Sequence, residues 1–235
     1  MCGIAGFFTR AANPDLPVAI ERMRQALLHR GPDGTGTWTS PDGCAGFAHT
    51  RLAILDVTSA GHQPMSIAEG RYTITYNGEI YNFAELRRSL EQQGIRFRSG
   101  SDTEVILRLY EKFGPACLLQ LRGMFALAIW DAHTRSGIVA RDRMGIKPLY
   151  YYARPDGTLL FASEVRALVA SCLVPREVDP QAVFEYFRSG SVPEPWSLIK
   201  GVLAVEPGHY LLVRDGCVER HRYWELRFPP AATEA

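Results

Sequence analysis

Between Met124 and Ala162 the sequence offers four strand-like runs with no helix among them: Met124 to Asp131, Gly137 to Arg141, Pro148 to Arg154 and Thr158 to Ala162. Neighbouring strands joined this tightly can pair only antiparallel, because a parallel pair needs a crossover of a dozen or more residues. Pro155-Asp156-Gly157 supplies the turn between the last two runs. The N-terminal half repeats the grouping. Ile4, Phe7 and Phe8 read as a short buried strand. Cys44 to His49 and Arg51 to Val57 read as two more, separated by a bend near Thr50, and Tyr72 to Tyr76 alternates. Asn77-Gly78, flanked by such runs, carries the strongest short hairpin signal, a turn with positive φ angles.

Helices fall between these groups. Pro17 to Leu28 has apolar residues at helical spacing, with proline at its start and Gly31 past its end. Asn82 and Glu85 resemble a capping box for a helix ending at Gly94. Val105, Ile106, Leu109 and Tyr110 share one face of the next, Glu164 to Ala170 makes a short one, and Asp179-Pro180 opens another through Phe187. There is no βαβ rhythm and no G-x-G-x-x-G, so pattern alone gives two antiparallel sheets with covering helices.

A chain of 235 residues can bury a sizeable core, and one large domain with a tail is expected. Its formal net charge of +1 gives no basic surplus for nucleic acid or a membrane surface. The longest apolar runs, such as Met124 to Trp130, are too short to cross a bilayer, and no signal peptide precedes Cys2, so a cytoplasmic location is expected. The five cysteines are widely spaced, form no C-x-x-C pair and do not cluster with histidine, which argues against a disulfide framework and a metal site.

Cys2 is the residue with unusual chemistry. Once Met1 is removed, Cys2 becomes the amino terminus and carries a nucleophilic thiol beside an α-amine of pKa about 8. That pairing suits an N-terminal nucleophile, the amine taking the proton while sulfur attacks a carbonyl. The alternative is a small buried apolar residue. Arg51 alone reads equally as a surface arginine, and Asp102 as an N-cap or first-turn acid.

Six motifs in order resemble the glutamine-hydrolysing domain of the asparagine synthetase family, class II (N-terminal nucleophile) glutamine amidotransferases. They are Met1-Cys2-Gly3-Ile4, His29-Arg30-Gly31-Pro32-Asp33, His49-Thr50-Arg51-Leu52, Tyr76-Asn77-Gly78-Glu79-Ile80-Tyr81-Asn82, Gly100-Ser101-Asp102-Thr103-Glu104 and Arg141-Asp142-Arg143-Met144-Gly145-Ile146-Lys147-Pro148-Leu149-Tyr150. The resemblance implies an α+β fold, the four-layer αββα sandwich of the N-terminal nucleophile hydrolases. It implies Cys2 as nucleophile and base, and Asn77 and Gly78 as donors to the oxyanion. Arg51, with Leu52 beside it, would take the substrate α-carboxylate, and Glu79 and Asp102 its α-ammonium. His29 and Arg30 would support the edge of the site, and Arg141 and Asp142 would form a buried salt-linked pair.

Glutamine hydrolysis of this kind calls for no cofactor. ATP and Mg belong to a synthetase domain, whose Ser-Gly-Gly-x-Asp-Ser loop does not occur in these residues. Residues 1–215 are expected to form the glutaminase domain, and 216–235 a connection ending in a linker from Phe228 to Ala235. Candidate partners are L-glutamine, an ATP-dependent synthetase subunit and a second copy of the chain, with neither nucleic acid nor membrane. Three readings stand side by side: a free-standing or split glutaminase subunit, a truncated synthetase, and a glutamine-binding assembly module without turnover.

Overall fold

The computed structural model describes residues 1–53 and 59–228. The chain runs β1 (Gly3–Phe8), α1 (Asp15–Ala26), β2 (Gly34–Thr39), β3 (Ala45–Arg51), β4 (Met65–Ile67), β5 (Tyr72–Ile80), α2 (Phe83–Gln92), α3 (Asp102–Phe113), β6 (Gly123–Asp131), β7 (Ser136–Arg141), β8 (Tyr150–Ala153), β9 (Leu159–Ala162), α4 (Val165–Ala170), α5 (Pro180–Ser189), β10 (Val202–Ala204), β11 (His209–Arg214) and β12 (Cys217–Arg222). Strand order in one sheet is β10-β8-β9-β1-β3-β2, and in the other β12-β11-β7-β6-β5-β4. Every pairing between these strands is antiparallel.

Three apolar layers hold four layers of structure. Strand alternation sends Ile4 and Phe8 of β1 towards the second sheet, and Ala5 and Phe7 towards α1 and α4. On β5 it sends Ile74, Tyr76 and Ile80 under α2 and α3. Between the sheets Phe8 packs against Phe47, Trp130 and Phe161, with ring centroids 5.7, 5.5 and 5.6 Å away. Burying each such ring contributes about 1.5–3 kcal/mol. The architecture is the expected αββα sandwich, and it brings the starts of β1 and α3 together with the ends of β3 and β5.

Several local expectations give way to longer-range contacts. Asn77-Gly78 makes no turn: β5 runs straight through it, opposite Ala126 and Phe125 of β6, and neither residue has a positive φ. Glycine is needed there for close approach, since a Cβ on Gly78 would lie 2.3 Å from the Met124 carbonyl oxygen. Asn82 precedes α2 without a side-chain cap, because its amide binds the Gln120 carbonyl and the Arg122 N–H at 3.0 Å each. No bend interrupts β3 at Thr50, the strand ends at Arg51, and Ile54 to Val57 of the expected run lie outside the described residues. The boundary expected at residue 215 falls inside the β11–β12 hairpin, so the second sheet continues to Arg222. Of the expected linker, Pro229 to Ala235 lie outside the described residues.

Candidate active site

One pocket gathers Cys2, Arg51, Leu52, Asn77, Gly78, Glu79 and Asp102, the seven residues singled out from sequence. Cys2 sits at the head of β1 with its sulfur against the backbone after β3. The Leu52 N–H donates to Sγ at 3.3 Å, and the thiol faces the Leu52 carbonyl at 3.5 Å. The residues behind it are pinned. Arg30 Nε donates to the Cys2 carbonyl at 2.9 Å, and Ile4 and Ser163 exchange two hydrogen bonds of 3.0 and 2.8 Å. Arg30 is itself held by Glu164 at 2.7 Å, and His29 reaches the same oxygen at 3.0 Å. Burial pushes the Glu164 carboxyl up, but these hydrogen bonds outweigh it and hold it below its ordinary value.

The His29-Arg30-Gly31-Pro32-Asp33 turn serves the Arg51 end of the pocket as well. Asp33 N–H donates to the Arg51 carbonyl at 2.9 Å, while its carboxylate accepts from Ala53 N–H at 2.8 Å. Gly31 permits the approach, because a Cβ there would lie within 2.5 Å of the Thr50 and Arg51 backbone.

The donors on β5 follow from strand alternation. Phe125 of β6 directs both its backbone groups to Asp142, accepting from its N–H at 2.8 Å and donating to its carboxylate at 3.1 Å. Gly78, opposite Phe125, is therefore a non-hydrogen-bonded pair with β6, and its N–H points to the other edge of β5. The N–H groups of Tyr76 and Ile80 point the same way. Gln63 Oε1 accepts from the first at 2.7 Å, and Asp102 Oδ2 from the second at 3.1 Å. The Gly78 N–H lies between these two occupied donors. Beside it the Asn77 side chain is buried, and its Nδ2 has no hydrogen-bond partner among the described residues. Two donors thus stand in the pocket wall with Cys2, the arrangement that an oxyanion requires.

Asp102 opens α3 but does not cap it. Ser101 is the N-cap, its hydroxyl accepting from Thr103 N–H, while the Asp102 carboxylate turns into the pocket and accepts from Tyr76 Oη at 2.7 Å. Burial raises the Asp102 pKa, and the bonds from Tyr76 and Ile80 only partly offset it. The Tyr76 phenol is pushed well above its ordinary value by burial and by this carboxylate. A cation placed against Asp102 would relieve the same penalty.

The expected Arg141–Asp142 pair does not form. Arg141 meets Glu194 at 2.8 Å and the carbonyls of Gly145, Lys147 and Val205, whereas Asp142 collects the N–H groups of Phe125, Met144, Ile146 and Lys147. Each has a better fixed partner than the other. Together they fold the loop that brings Lys147 to the pocket, where its Nζ lies 3.6 Å from Met1 Sδ. Lys147, Gln63, Ser101, Thr103 and Met124 line the pocket without having been singled out. Gln63 bridges β5 to Thr103 across 40 residues of sequence, and no local pattern announces such a bridge. Among the described residues no cluster of histidine, cysteine and carboxylates could hold a metal ion, and no helix is long and apolar enough to cross a membrane.

Comparison with known proteins places the whole chain in one family. The family described as glutamine amidotransferase domain matches residues 1–224. The chain is 40% identical over 238 residues to asparagine synthetase [glutamine-hydrolyzing] 1 of Bacillus subtilis, an alignment covering 100% of this chain and 37% of that protein. It is 34% identical over 240 residues to amidase chry2 of Gibberella zeae, covering 97% of this chain and 35% of that one. The chain therefore spans little more than a third of the length of these curated relatives. Among solved structures, the glutamine phosphoribosylpyrophosphate amidotransferase of B. subtilis superimposes with a TM-score of 0.71 at 23% identity, over 95% of this chain and 49% of that one.

Proposed function

The chain belongs to the class II glutamine amidotransferase domain family, and from that premise we propose that its pocket hydrolyses the side-chain amide of L-glutamine through a thioester on Cys2. The observation that carries this reading is the pair of donors set in the pocket wall with the cysteine, the Gly78 N–H turned away from β6 and the Asn77 Nδ2, which has no partner among the described residues. A pocket that only bound glutamine would need neither nucleophile nor oxyanion donors.

Glutamine enters with its α-carboxylate against Arg51 and its α-ammonium between Glu79 and Asp102. A cation beside Asp102 offsets the burial that raises its pKa. Cys2 sulfur attacks the amide carbon, and the thiol proton passes to the Cys2 α-amine. While Met1 is attached that nitrogen is an amide and has no basic lone pair, so removal of Met1 switches the base on. The carbonyl electrons move to oxygen, which takes hydrogen bonds from Gly78 and Asn77; loss of one such donor costs about 10²–10³ in rate. Collapse of the intermediate breaks the C–N bond as the α-ammonium returns its proton to the nitrogen, which leaves as ammonia. Water, deprotonated by the same amine, then attacks the thioester, releasing glutamate and the thiol. No step in this sequence draws on a cofactor.

The resemblance to glutamine-hydrolysing asparagine synthetases supports a further part of the proposal. Ammonia made here supplies an ATP- and Mg-dependent amidation carried out by a synthetase domain or partner subunit, in the cytoplasm. The test is glutamate release from glutamine by protein whose first residue, checked by intact mass, is Cys2. Turnover that disappears both in Cys2→Ala and in protein retaining Met1 is expected. Turnover that survives Cys2→Ala overturns the reading.

A further inference from the structure

His49 is a buried residue with nothing to do in the steps above. It sits on β3, opposite Ile4 of β1, on the same face as Arg51 but one alternation deeper. It is only 1% exposed. Its Nδ1 lies 3.4 Å from Thr75 Oγ1, and Thr75 in turn donates its hydroxyl proton to the Ala48 carbonyl at 3.3 Å. With that proton committed, the Thr75 oxygen can only accept, so Nδ1 carries the imidazole hydrogen. Nε2 is left as a lone pair, and it has no partner among the described residues.

Two positions along the same face of β5 from Thr75 stands Asn77, whose Nδ2 is likewise buried and without a partner. One orphan is an acceptor and the other a donor. Both lie between the sheets, His49 against Thr75 and Asn77 two residues along β5 from it. Leaving either unpaired costs about 1–3 kcal/mol, and buried waters commonly join groups of this kind.

We propose that His49 is a positioning residue for the oxyanion hole: its Nε2 accepts from one buried water, that water accepts from one N–H of the Asn77 amide, and the other N–H is thereby aimed at the oxygen of the carbonyl attacked by Cys2. A primary amide has two hydrogens on its nitrogen, so anchoring one leaves the second for the oxyanion. Without the anchor the amide can turn, and its carbonyl oxygen would then face the developing negative charge. Burial, with Arg51 and His62 adding to it, depresses the His49 pKa to about 3, so the ring is the neutral acceptor throughout the working range.

The first test needs no turnover and uses the full chain with Cys2 as first residue. Nitrogen NMR of His49 is expected to show hydrogen on Nδ1 and none on Nε2 between about pH 5 and pH 8, and the Nε2 resonance should shift in Asn77→Ala. Hydrogen on Nε2, or an Nε2 resonance indifferent to Asn77→Ala, overturns the proposal.

The second test rests on the glutaminase reading. His49→Leu should lower kcat about tenfold with KM for glutamine unchanged, while His49→Gln, which keeps an acceptor, should stay within about threefold of wild type. Alkylation of Cys2 by iodoacetamide, which makes no oxyanion, should proceed at the wild-type rate in both. Wild-type kcat in His49→Leu, or equal losses in kcat, KM and alkylation, overturns it. Should His49→Leu fail to fold, loss of kcat in His49→Gln beyond about threefold counts against the proposal. A wild-type protein that never hydrolyses glutamine would defeat the glutaminase reading, and the NMR result would still decide the role of His49.

Discussion

The layer between the two sheets has two unlike ends, about 20 Å apart along β1. At the Phe8 end, Phe8, Phe47, Trp130 and Phe161 interlock edge to face and in stacks, and all four are almost wholly buried. At the Cys2 end, on β3 and β5, the layer holds His49, Thr75 and Asn77, with two buried side-chain atoms that have no partner among the described residues. The first end stabilises the fold, and the second end costs stability. Polar groups already set for a developing oxyanion can stand unpaired only because a packed scaffold prevents them from rotating to find other partners.

Phe47→Ala should break the comparison most severely, on the stability side alone. Removing the ring from the apolar end should cost about 3–5 kcal/mol, measured by denaturant unfolding. Asn77→Ala attacks the other end and should do the reverse. The expected result is a kcat about 10²–10³ lower, with unfolding free energy close to wild type because Asn77 Nδ2 makes no direct hydrogen bond to another described residue. If Asn77→Ala proves as destabilising as Phe47→Ala, the two ends are not functionally distinct.

A third expectation sharpens the contrast through pH. The unfolded chain protonates His49 near pH 6.5, whereas the folded chain resists until about 3. The unfolded state therefore binds the extra proton in that window, and stability falls as pH drops through it, at about 1.4 kcal/mol per pH unit. In His49→Gln that part of the slope should be missing from unfolding curves taken between those limits.

The smallest effect concerns Asp102, whose folded pKa is raised. Such a group contributes stability below its unfolded pKa and loses it as pH rises through the folded value. Asp102→Asn, which keeps an acceptor for Tyr76 and Ile80, should be more stable than wild type at neutral pH, read as a raised Tm. The gain should vanish in acid. The same variant should lose glutamine affinity, so a more stable protein would bind its substrate less well.

Much of the sandwich is written locally. The consecutive strand runs, the Pro155-Asp156-Gly157 turn and the α5 start at Asp179-Pro180 all use short-range signals, and each stands in the structure. Asn77-Gly78 shows where local signals fail. The pair has the composition of a hairpin turn, yet pairing with β6 holds it extended, and the reward for burying Tyr76 and Ile80 under α3 outweighs turn preference. Asn82 and Glu85 fail as a capping box for the same reason, since the loop at Gln120 to Arg122 takes the Asn82 amide. The seven site residues were legible because they fall in ordered motifs. Gln63 lies in none of those motifs, and His49 and Lys147 stand in two of them with no role assigned, because their parts depend on partners 13 to 146 residues away.

The most direct test of the division between the two ends is acid quenching during glutamine turnover, followed by mass analysis of the N-terminal peptide. Protein beginning at Cys2 should carry one glutamyl group on that peptide, at a level that rises when thioester hydrolysis is slowed, and protein retaining Met1 should carry none. A glutamyl group on another residue, or full turnover with Met1 still attached, would contradict the assignment of nucleophile and base to Cys2.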